Sequence, residues 1–340
     1  MNPAHVKKTA DSLLRISVVI PAYNVGTYIH RALESVLAQS RPPEEIIVVD
    51  DGSTDTTADQ VKQYGDRIKY MYQDNAGGAA ARNTGIRTAE GNWIAFLDAD
   101  DEWLPEKLQL QADLVQRHNE LVWVTGNYYR CLCEEHRRRL DISAEKIAKL
   151  LQGKDYFDNF FSVFLHQAYG CTDTMLIKKK VLDTVGGFPE GQKNVHDMDL
   201  WWRIGYRWPR IGCVNRPLAI YHMDRPQSLT VTEQKWKQYS EMIERQLKLA
   251  RAAGKLEDFK PCAVRMLRMW MRSMLFDAQA EHIRRMLTQF KELLPGGYTA
   301  WMWFLTAFPR TTAAGCRQIS RIVRRLRLRR RLVRKPPPAP

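Results

Sequence analysis

Short apolar runs alternate with stretches of helical spacing along the first third of the chain. The runs that predict strands are Ile16–Ile20, Ile46–Val49, Ile68–Tyr72, Trp93–Leu97 and Leu121–Thr125. Continuous apolar runs of this length are typical of strands that are buried on both faces of a parallel sheet. Helical spacing lies between them, for example at Ile29, Leu33 and Val36. This alternation predicts an α/β fold with a doubly wound, mostly parallel sheet.

The hydrophobic pattern changes further along the chain. Residues 16–126 carry the regular alternation, residues 127–230 are mixed, and together they predict one sheet domain. Residues 231–296 have apolar positions at helical spacing and predict a helical extension. Residues 1–15 precede the sheet domain, and residues 297–340 form an aromatic and basic tail whose Pro-rich end we expect to be disordered.

The net charge of the protein is concentrated in that tail. Of the formal net charge of +14, eleven positive charges come from residues 310–340, which contain no acidic residue. Residues 1–309 are therefore close to neutral, at +3. The total charge would suit a nucleic acid, a membrane surface or an anionic substrate as partner. Nucleic acid is not favoured, because the tail has no recognised nucleic-acid-binding fold.

The tail combines this charge with an aromatic segment. Tyr298–Phe308 is rich in aromatic residues and is too short to span a membrane. Apolar aromatic residues beside an Arg-rich stretch are typical of helices that lie on a membrane surface. We therefore expect the tail to bind an anionic membrane surface. The alternative is a packed helix with a solvated basic end.

The cysteines and the N-terminus bear on the location of the protein. The six cysteines show no Cys/His spacing typical of a zinc site, so we expect reduced thiols. Met1–Arg15 lacks the apolar region of a signal peptide. Together with the tail, these features predict a cytoplasmic protein that is peripheral on the inner face of the cytoplasmic membrane.

Carboxylates end two of the predicted strands. Asp50 and Asp51 follow the second strand, and Asp98 and Asp100 follow the fourth. Since ligands of an open parallel sheet bind beyond the carboxyl ends of its strands, both groups should meet in one crevice. Clustered carboxylates repel one another unless they share a cation, and hard oxygen ligands suit Mg²⁺ or Mn²⁺ together with a phosphate. The alternative is that these residues only form turns and helix caps.

The phosphate-binding motifs of other nucleotide enzymes are absent from the sequence. No G-x-G-x-x-G follows the first strand, and no G-x-x-x-x-G-K-[ST] occurs. The sequence therefore does not favour a dinucleotide-dependent redox enzyme or a P-loop enzyme.

Five signature segments occur in order along the sheet domain. They are Ser17–Asn24 (SVVIPAYN), Val48–Asp55 (VVDDGSTD), Asn75–Gly85 (NAGGAAARNTG), Trp93–Asp101 (WIAFLDADD), and Gly186–Glu190 (GGFPE) with Asp197–Arg203 (DMDLWWR). In this order they resemble the family 2 glycosyltransferases of the GT-A fold, over roughly residues 16–230. Each segment is weak by itself, but five in register are a strong signal.

The resemblance implies both a fold and an activity. It implies a GT-A-type, Rossmann-like half over residues 16–126 that binds a nucleotide-sugar, and an acceptor half over residues 127–230. The implied reaction is an inverting transfer of a sugar from a nucleotide-diphospho-sugar, with UDP-sugars favoured, to a hydroxyl of a glycan or lipid-linked acceptor. Such transfers serve the synthesis of cell-surface glycans, lipopolysaccharide or exopolysaccharide. The implied cofactor is a divalent metal ion, Mn²⁺ or Mg²⁺, which neutralises the departing diphosphate.

The resemblance also assigns a donor site to individual residues. They are Pro21, Tyr23, Asp51, Arg82, Asp98, Ala99 and Asp100. Tyr23 would stack on the nucleotide base, Asp51 would bond to its edge, and Arg82 would face the phosphates. Asp98 would contact the ribose or a metal-bound water and Asp100 would ligate the metal, so both belong to the metal site. A core aromatic and a local ion pair are the alternative roles of Tyr23 and Arg82.

The implied catalytic base is Asp197, by its place in the last signature. A cap at the start of a helix is its alternative role. The family often has Glu-Asp where this chain has His196-Asp197, and a Tyr-Arg-x-His pattern where it has His222 and Asp224. These departures support a second hypothesis, a nucleotide-sugar-binding homologue that does not catalyse transfer.

Overall fold

The computed structural model describes most of the chain, in two compact units. The described residues are 14–132, 137–192, 194–223 and 235–318. One unit contains residues 14–223 and 248–255, and the other contains residues 235–247 and 256–318. Residues 1–13, Asp224 and the basic end of the tail from residue 319 onwards lie outside the described residues.

The first half of the sheet unit alternates strands and helices, as its hydrophobic pattern predicts. The strands are β1 (Ile16–Ala22), β2 (Glu45–Asp50), β3 (Lys69–Tyr72) and β4 (Trp93–Phe96). The helices between them are α1 (Ile29–Leu37), α2 (Thr57–Lys62) and α3 (Gly78–Thr88). Val18, Val19 and Ile20 of β1 are fully buried, so this strand is covered on both faces.

The second half of the sheet unit is less regular. Its strands are β5 (Glu102–Trp103), β6 (Trp123–Leu132), β7 (Arg137–Leu140), β8 (Tyr156–Phe157), β9 (Leu176–Lys178) and β10 (Ile211–His222). Its helices are α4 (Lys107–Arg117), α5 (Ala144–Leu151), α6 (Phe160–Leu165), α7 (Lys179–Val185) and α8 (His196–Arg207).

All of these strands pair into one sheet. The order is β3-β2-β1-β4-β9-β6-β10-β5, with β7 paired to β6 and β8 paired to β10. Neighbours are parallel from β3 to β4, and β6 is parallel to β10. β9 is antiparallel to both β4 and β6 and separates the two parallel parts. The predicted α/β fold is confirmed, and the sheet is mixed because its second half adds antiparallel pairs.

Helix α3 packs closely on strand β1. A Cβ atom at Gly85 of α3 would lie 2.3 Å from Cγ1 of Val19. Val19 is fully buried and β-branched, so its side chain has neither the room nor the rotamer freedom to move aside. The glycine therefore sets how near α3 can come to the sheet.

Helices make up the remainder of the described chain, as the helical spacing predicts. They are α9 (Lys235–Ala252), α10 (Leu256–Phe276), α11 (Ala280–Gln289) and α12 (Gly296–Ala307), and residues 309–318 are also helical. Aromatic stacking joins them, since the ring centroids of Tyr239 and Trp270 are 4.1 Å apart and those of Trp236 and His282 are 5.0 Å apart. Within the described residues, no helix combines the length and the apolar character that crossing a membrane requires.

We predict that Gly85→Ala destabilises the protein. Alanine inside a helix is normally favoured over glycine by about 1 kcal/mol, but here the added methyl group overlaps Val19 and costs about 1–3 kcal/mol. The urea midpoint for unfolding of the sheet unit should therefore fall. Gly297→Ala is the control, because a Cβ atom at Gly297 meets nothing within 4 Å. A midpoint for Gly85→Ala that stays equal or rises would contradict the close packing.

Candidate active site

The candidate site lies at the carboxyl edge of strands β2, β1 and β4. Ala22 at the end of β1 is in register with Asp50 at the end of β2. On the other side of β1, β4 also runs parallel to it. The chain segments that follow these strands therefore leave the sheet at one edge, and Asp51 and Asp98 lie at that edge. This is the placement that the rule for ligand sites in parallel sheets predicts.

Two loops at this edge are bonded to each other. Asn24 has a left-handed backbone, with a φ of 48°, and its Oδ1 accepts a hydrogen bond from the backbone nitrogen of Thr54 at 2.8 Å. The carboxylate of Asp55 accepts from the backbone nitrogen of Gly26 at 3.0 Å. The loops after β1 and β2 thus hold each other in place. Beside them, Tyr23 keeps 46% of its surface exposed, as stacking on a base would require.

The carboxylate of Asp50 is engaged in hydrogen bonds with neighbouring residues of the protein. It accepts from the backbone nitrogen of Ser53 at 2.8 Å and from the hydroxyl of Tyr70 at 2.7 Å. Burial and this carboxylate together raise the pKa of Tyr70, so the phenol remains a donor. Asp50 therefore has the turn-forming role that was the alternative for the carboxylates at strand ends.

Asp51 fixes the segment that leads into α3. Its Oδ1 accepts from the side-chain amide of Gln73 at 2.7 Å and from the backbone nitrogen of Ala76 at 2.9 Å. Its Oδ2 accepts from the backbone nitrogen of Gly77 at 2.8 Å. A carboxylate has about four acceptor positions, so one remains on Oδ2 for a ligand. The contact to the base stays a prediction, and the structure adds a positioning role that the sequence did not indicate.

Arg82 of α3 is a buried cation in the site. Its guanidinium donates to Oδ1 of Asp98 and, at 3.2 Å, to the carbonyl of Gly78, and it lies 3.0 Å from Nε2 of His196. It also lies over the ring of Phe188, 5.5 Å from the centroid. Burial is the largest influence and opposes the charged form, but the carboxylates of Asp98, Asp197 and Asp173 together outweigh it and raise the pKa of Arg82. The ion pair that was the alternative role of Arg82 is present, and it lies within the expected donor site.

Three carboxylates form an acidic cluster, which consists of Asp98, Asp101 and Asp173. One oxygen of each lies within 4.8 Å of the others. Asp101 and Asp173 are each 1% exposed, and the backbone nitrogen of Asp98 donates to Oδ1 of Asp173 at 2.8 Å. Burial and the neighbouring carboxylates raise the pKa values of Asp101 and Asp173. A cation is therefore electrostatically favoured at this cluster.

The acidic cluster differs from the expected metal site in its members. Asp98 belongs to it, but among the described residues Asp100 does not, and the carbonyl of Asp100 accepts from Arg31. Ala99 between them is buried. Asp101 lies in the same signature and had no assigned role, and the role of Asp100 as a metal ligand stays a prediction.

Asp173 comes from a region in which the sequence indicates no chemistry. It lies in the short 3₁₀ turn Thr172–Thr174, directly before β9. The indole nitrogen of Trp103 donates to the carbonyl of Asp173 at 2.8 Å and fixes the turn. Pairing of β9 with β4 brings this turn beside Asp98. A single aspartate in the mixed region carries no local signal of such a role.

His222 reaches the site from strand β10. Its backbone nitrogen donates to Oδ1 of Asp101 at 2.7 Å, and its Nε2 lies 3.3 Å from Oε1 of Glu102. This contact with His222 lowers the pKa of Glu102. The imidazole of His222 thus engages Glu102, while its backbone supports the acidic cluster.

Helix α8 brings His196 and Asp197 to Arg82. Burial and the charge of Arg82 lower the pKa of His196, so its ring is neutral and Nε2 accepts from Arg82. Asp197 lies in the first turn of α8, where Val195 holds the N-cap position, so Asp197 is not the cap. Its charge acts on both Arg82 and His196.

The turn Gly186–Glu190 connects the helices that carry these groups. The side-chain amide of Asn83 in α3 donates to the carbonyl of Phe188 at 2.8 Å. From α8, the guanidinium of Arg203 donates to the carbonyl of Gly187. The turn therefore fixes α3 relative to α8, and with them the two sides of the site.

A family model matches the chain over this site. The model of Glycosyl transferase family 2 covers residues 17–186, which is half of the chain. The chain belongs to this family, as its ordered signatures predict. His196 and Asp197 lie beyond the matched residues.

Relatives match the chain over parts of their length. An uncharacterized glycosyltransferase of Rickettsia prowazekii is 31% identical over 190 residues, which are 56% of this chain and 58% of that protein. The putative teichuronic acid biosynthesis glycosyltransferase TuaG of Bacillus subtilis is 42% identical over 115 residues, which are 33% of this chain and 46% of that protein. The matched segments thus span about half the length of these relatives.

A solved structure matches the chain over most of its length. The structure of S. aureus TarS 1-349 in complex with UDP-GlcNAc has a TM-score of 0.68 and covers 89% of both chains. Its sequence is 18% identical, so the likeness concerns the fold alone. The predicted GT-A-type fold with a helical C-terminal extension is confirmed.

We predict that Arg82→Met destabilises the protein by about 2–3 kcal/mol. Removing one partner of a fully buried ion pair costs about 3–5 kcal/mol, and the cost is lower here because Asp98 keeps 28% of its side chain exposed. Asp98→Asn in the Arg82→Met background should recover about 1 kcal/mol or more, since it removes the unpaired charge. Urea unfolding of both single variants and the double variant measures this coupling.

The control for this comparison of single and double variants is Arg87→Met, which changes an exposed arginine of the same helix. It should shift the free energy of unfolding by less than about 0.5 kcal/mol. Additive effects of the Arg82 and Asp98 substitutions would show that the pair does not act as a unit.

Proposed function

We propose that the protein is an inverting glycosyltransferase, which moves a sugar from a nucleotide-diphospho-sugar to an acceptor hydroxyl. The observation that carries this proposal is the contact between Arg82 and the acidic cluster at the carboxyl edge of the parallel strands. Open α/β sheets bind ligands at this edge. Carboxylate oxygens beside a guanidinium suit a metal-bound diphosphate. Family membership supports the same class of reaction.

The proposed donor is a UDP-sugar. The exposed ring of Tyr23 and the remaining acceptor position of Asp51 suit a nucleotide base, and Pro21 is half-buried in the strand that leads to them. TarS, which shares the fold, was solved in complex with UDP-GlcNAc and with UDP. The proposed acceptor is a glycan or a lipid-linked glycan of the cell surface. The name of the relative TuaG, with its reference to teichuronic acid biosynthesis, supports this class of acceptor.

The proposed cofactor is a divalent cation, Mn²⁺ or Mg²⁺. The oxygens of Asp98, Asp101 and Asp173 fit such an ion, because both ions prefer hard oxygen ligands and the cluster is rich in negative charge. When bound, the cation would stabilise the charge that develops on the departing diphosphate. Arg82 holds a second positive charge at a fixed position beside Asp98.

Asp197 is the proposed catalytic base. The acceptor oxygen forms a bond to the anomeric carbon while the bond from this carbon to the diphosphate oxygen breaks, so the configuration inverts. The acceptor proton passes to the carboxylate of Asp197, and the electron pair of the broken bond leaves with the nucleoside diphosphate. His196 is neutral and accepts from Arg82, which supports Asp197 as the proton acceptor of this pair.

We predict that Asp197→Asn abolishes transfer but not donor binding. Wild-type protein with an acceptor glycan and Mn²⁺ or Mg²⁺ should release UDP from at least one UDP-sugar of a panel, and chelation with EDTA should stop the release. The asparagine keeps the shape of the side chain but takes no proton, so the rate should fall by about 100-fold or more. Calorimetric titration should give a donor Kd within about threefold of wild type.

Asp183→Asn is the matched control, because it changes an exposed carboxylate of the nearby helix α7. It should keep both binding and transfer. Donor binding by the wild type without transfer to any acceptor would instead favour the non-catalytic, nucleotide-sugar-binding homologue. The proposal would be refuted if the protein bound no donor and released no nucleoside diphosphate from any donor.

We also propose that the tail holds the protein on the anionic inner face of the cytoplasmic membrane. Trp301 and Phe304 of α12, and Phe308 directly after it, are 57%, 60% and 63% exposed. The rings of Trp301 and Phe304 stack with centroids 5.8 Å apart. Large exposed apolar groups in one patch are typical of an interaction site. The eleven basic residues of the tail would each contribute about 1 kcal/mol near an anionic leaflet.

We predict that the double substitution Trp301→Ser/Phe304→Ser weakens binding to phosphatidylglycerol vesicles by at least about tenfold, because it removes the apolar groups that would enter the interface. Truncation after Phe308 should also release the protein and leave donor binding intact. Met269→Ser is the control, since Met269 of α10 is 45% exposed outside the aromatic patch. Vesicle sedimentation measures the binding of each protein. Equal binding by the wild type, the double-substitution variant and the truncated form would refute the role of the tail.

A further inference from the structure

A cavity of about 300 Å³ lies in the second half of the sheet unit, apart from the expected donor site. Its walls come from the β6–β7 hairpin and from the loop that precedes Asp173. The residues that matter here are Tyr128, Arg130, Arg139, Tyr169 and Gly170. Its volume lies at the lower end of the range of about 300–1,000 Å³ that is usual for ligand sites.

One wall of this cavity is held rigidly. Gly170 has a φ of +76°, and a Cβ atom there would lie 2.3 Å from the Oγ1 atoms of Thr125 and Thr174. The hydroxyl of Thr125 donates to the carbonyl of Tyr169 at 2.8 Å. Only glycine fits at this position, so the loop is fixed against β6 and this wall of the cavity has a defined position.

The cavity adjoins the acidic cluster. Cys171 follows Gly170, and its Sγ lies 3.6 Å from Oδ2 of Asp173. On the other side, the ring of Tyr128 meets that of Tyr221 edge to face at 6.4 Å. The residue after Tyr221 is His222, and its backbone nitrogen donates to Oδ1 of Asp101 at 2.7 Å. A molecule in the cavity would therefore lie next to the proposed position of the diphosphate.

The charges that line the cavity are not balanced. Arg130 pairs with Asp141 at 2.7 Å and donates to the hydroxyl of Tyr128 at 3.1 Å. Arg139 lies opposite Arg130 in the β6–β7 register. Within the described part of the chain, Arg139 has no hydrogen-bond or ion-pair partner. An exposed guanidinium at the wall of a polar cavity, without a partner among the described residues, favours an anion, which it can bind through two parallel hydrogen bonds.

We propose that this cavity is an acceptor subsite and that it takes a sugar unit that bears a carboxylate or a phosphate, with Arg139 as the residue that binds the anionic group. Tyr128 and Tyr169 also line the cavity. The inference rests on the proposed glycosyl transfer and adds the chemical class of the acceptor. Arg139 is thus a specificity-determining residue, while the reaction itself takes place at the acidic cluster.

Ligand-observed NMR with three monosaccharides tests this subsite. Glucose, glucuronate and glucose 6-phosphate share one ring and differ at carbon 6, so they separate a neutral group, a carboxylate and a phosphate. Binding is measured on the full chain with saturating UDP and Mg²⁺, which keep the phosphate probe out of the donor site. Mg²⁺ is used because it is diamagnetic and does not broaden the NMR signals of the probes. Wild-type protein should bind at least one anionic probe about tenfold more tightly than glucose.

The variant Arg139→Gln should lose this preference and bind all three probes alike. Arg117→Gln is the matched control, because Arg117 is an exposed arginine of α4 that pairs with Asp155 at 3.1 Å, and it should keep the preference. A carboxylate-only or phosphate-only preference identifies the source of the anionic group. Equal binding of the three probes by the wild type, or a preference that survives in Arg139→Gln, overturns the inference.

The same samples separate this inference from the proposed function. UDP binding is recorded first, by its own NMR signals, and its absence would count against the proposed donor site only. A preference that depends on Arg139 could still be observed in that case. If UDP binds and the binding of the probes does not depend on Arg139, the proposed function stands and the acceptor subsite is rejected.

Discussion

The arrangement of the site depends on the repulsion among three carboxylates that the fold brings together. Asp98, Asp101 and Asp173 lie within 4.8 Å of one another, and two of them are almost fully buried. At an effective dielectric constant of about 20, two unit charges at such a distance repel by about 3–4 kcal/mol, which is a large part of the stability of a domain. The cluster can therefore be fully ionised only where positive charge compensates it.

The chain supplies some of that charge from both halves of the sheet unit. Arg82 of α3 donates to Asp98, and the fully buried Lys107 of α4 lies 3.9 Å from the ring centroid of Trp103. Burial lowers the pKa of Lys107 to about 7, although the charge of Asp173 acts in the opposite direction. Arg82 by itself does not match three carboxylates, and the lowered pKa of Lys107 makes that side chain a weak source of positive charge, so the cluster suits a further cation. Structural positive charge and ligand binding are thus parts of one electrostatic balance.

Local sequence patterns predict the parts of the site that lie in continuous segments. The apolar runs identify β1, β2 and β4, and their ends place Asp51 and Asp98 at one edge. The same patterns cannot tell which oxygen is already bonded, so Asp50 looks like a ligand and is a turn former. They also cannot reveal Asp173, since its contact with Asp98 joins residues 75 positions apart and depends on the pairing of β9. A single sequence does not show which distant strands pair with each other.

The position of the antiparallel strand β9 limits which segments of the protein can be exchanged or substituted. It separates the two parallel parts of the sheet, and the turn before it delivers one of the three carboxylates. The two halves of the sheet unit are therefore not independent modules. An exchange of the whole second half would remove part of the acidic cluster along with the cavity beside the β6–β7 hairpin. Substitutions in the β6–β7 hairpin would change the proposed acceptor subsite without removing a carboxylate of the cluster, whereas changes between Gly170 and β9 would also affect Asp173.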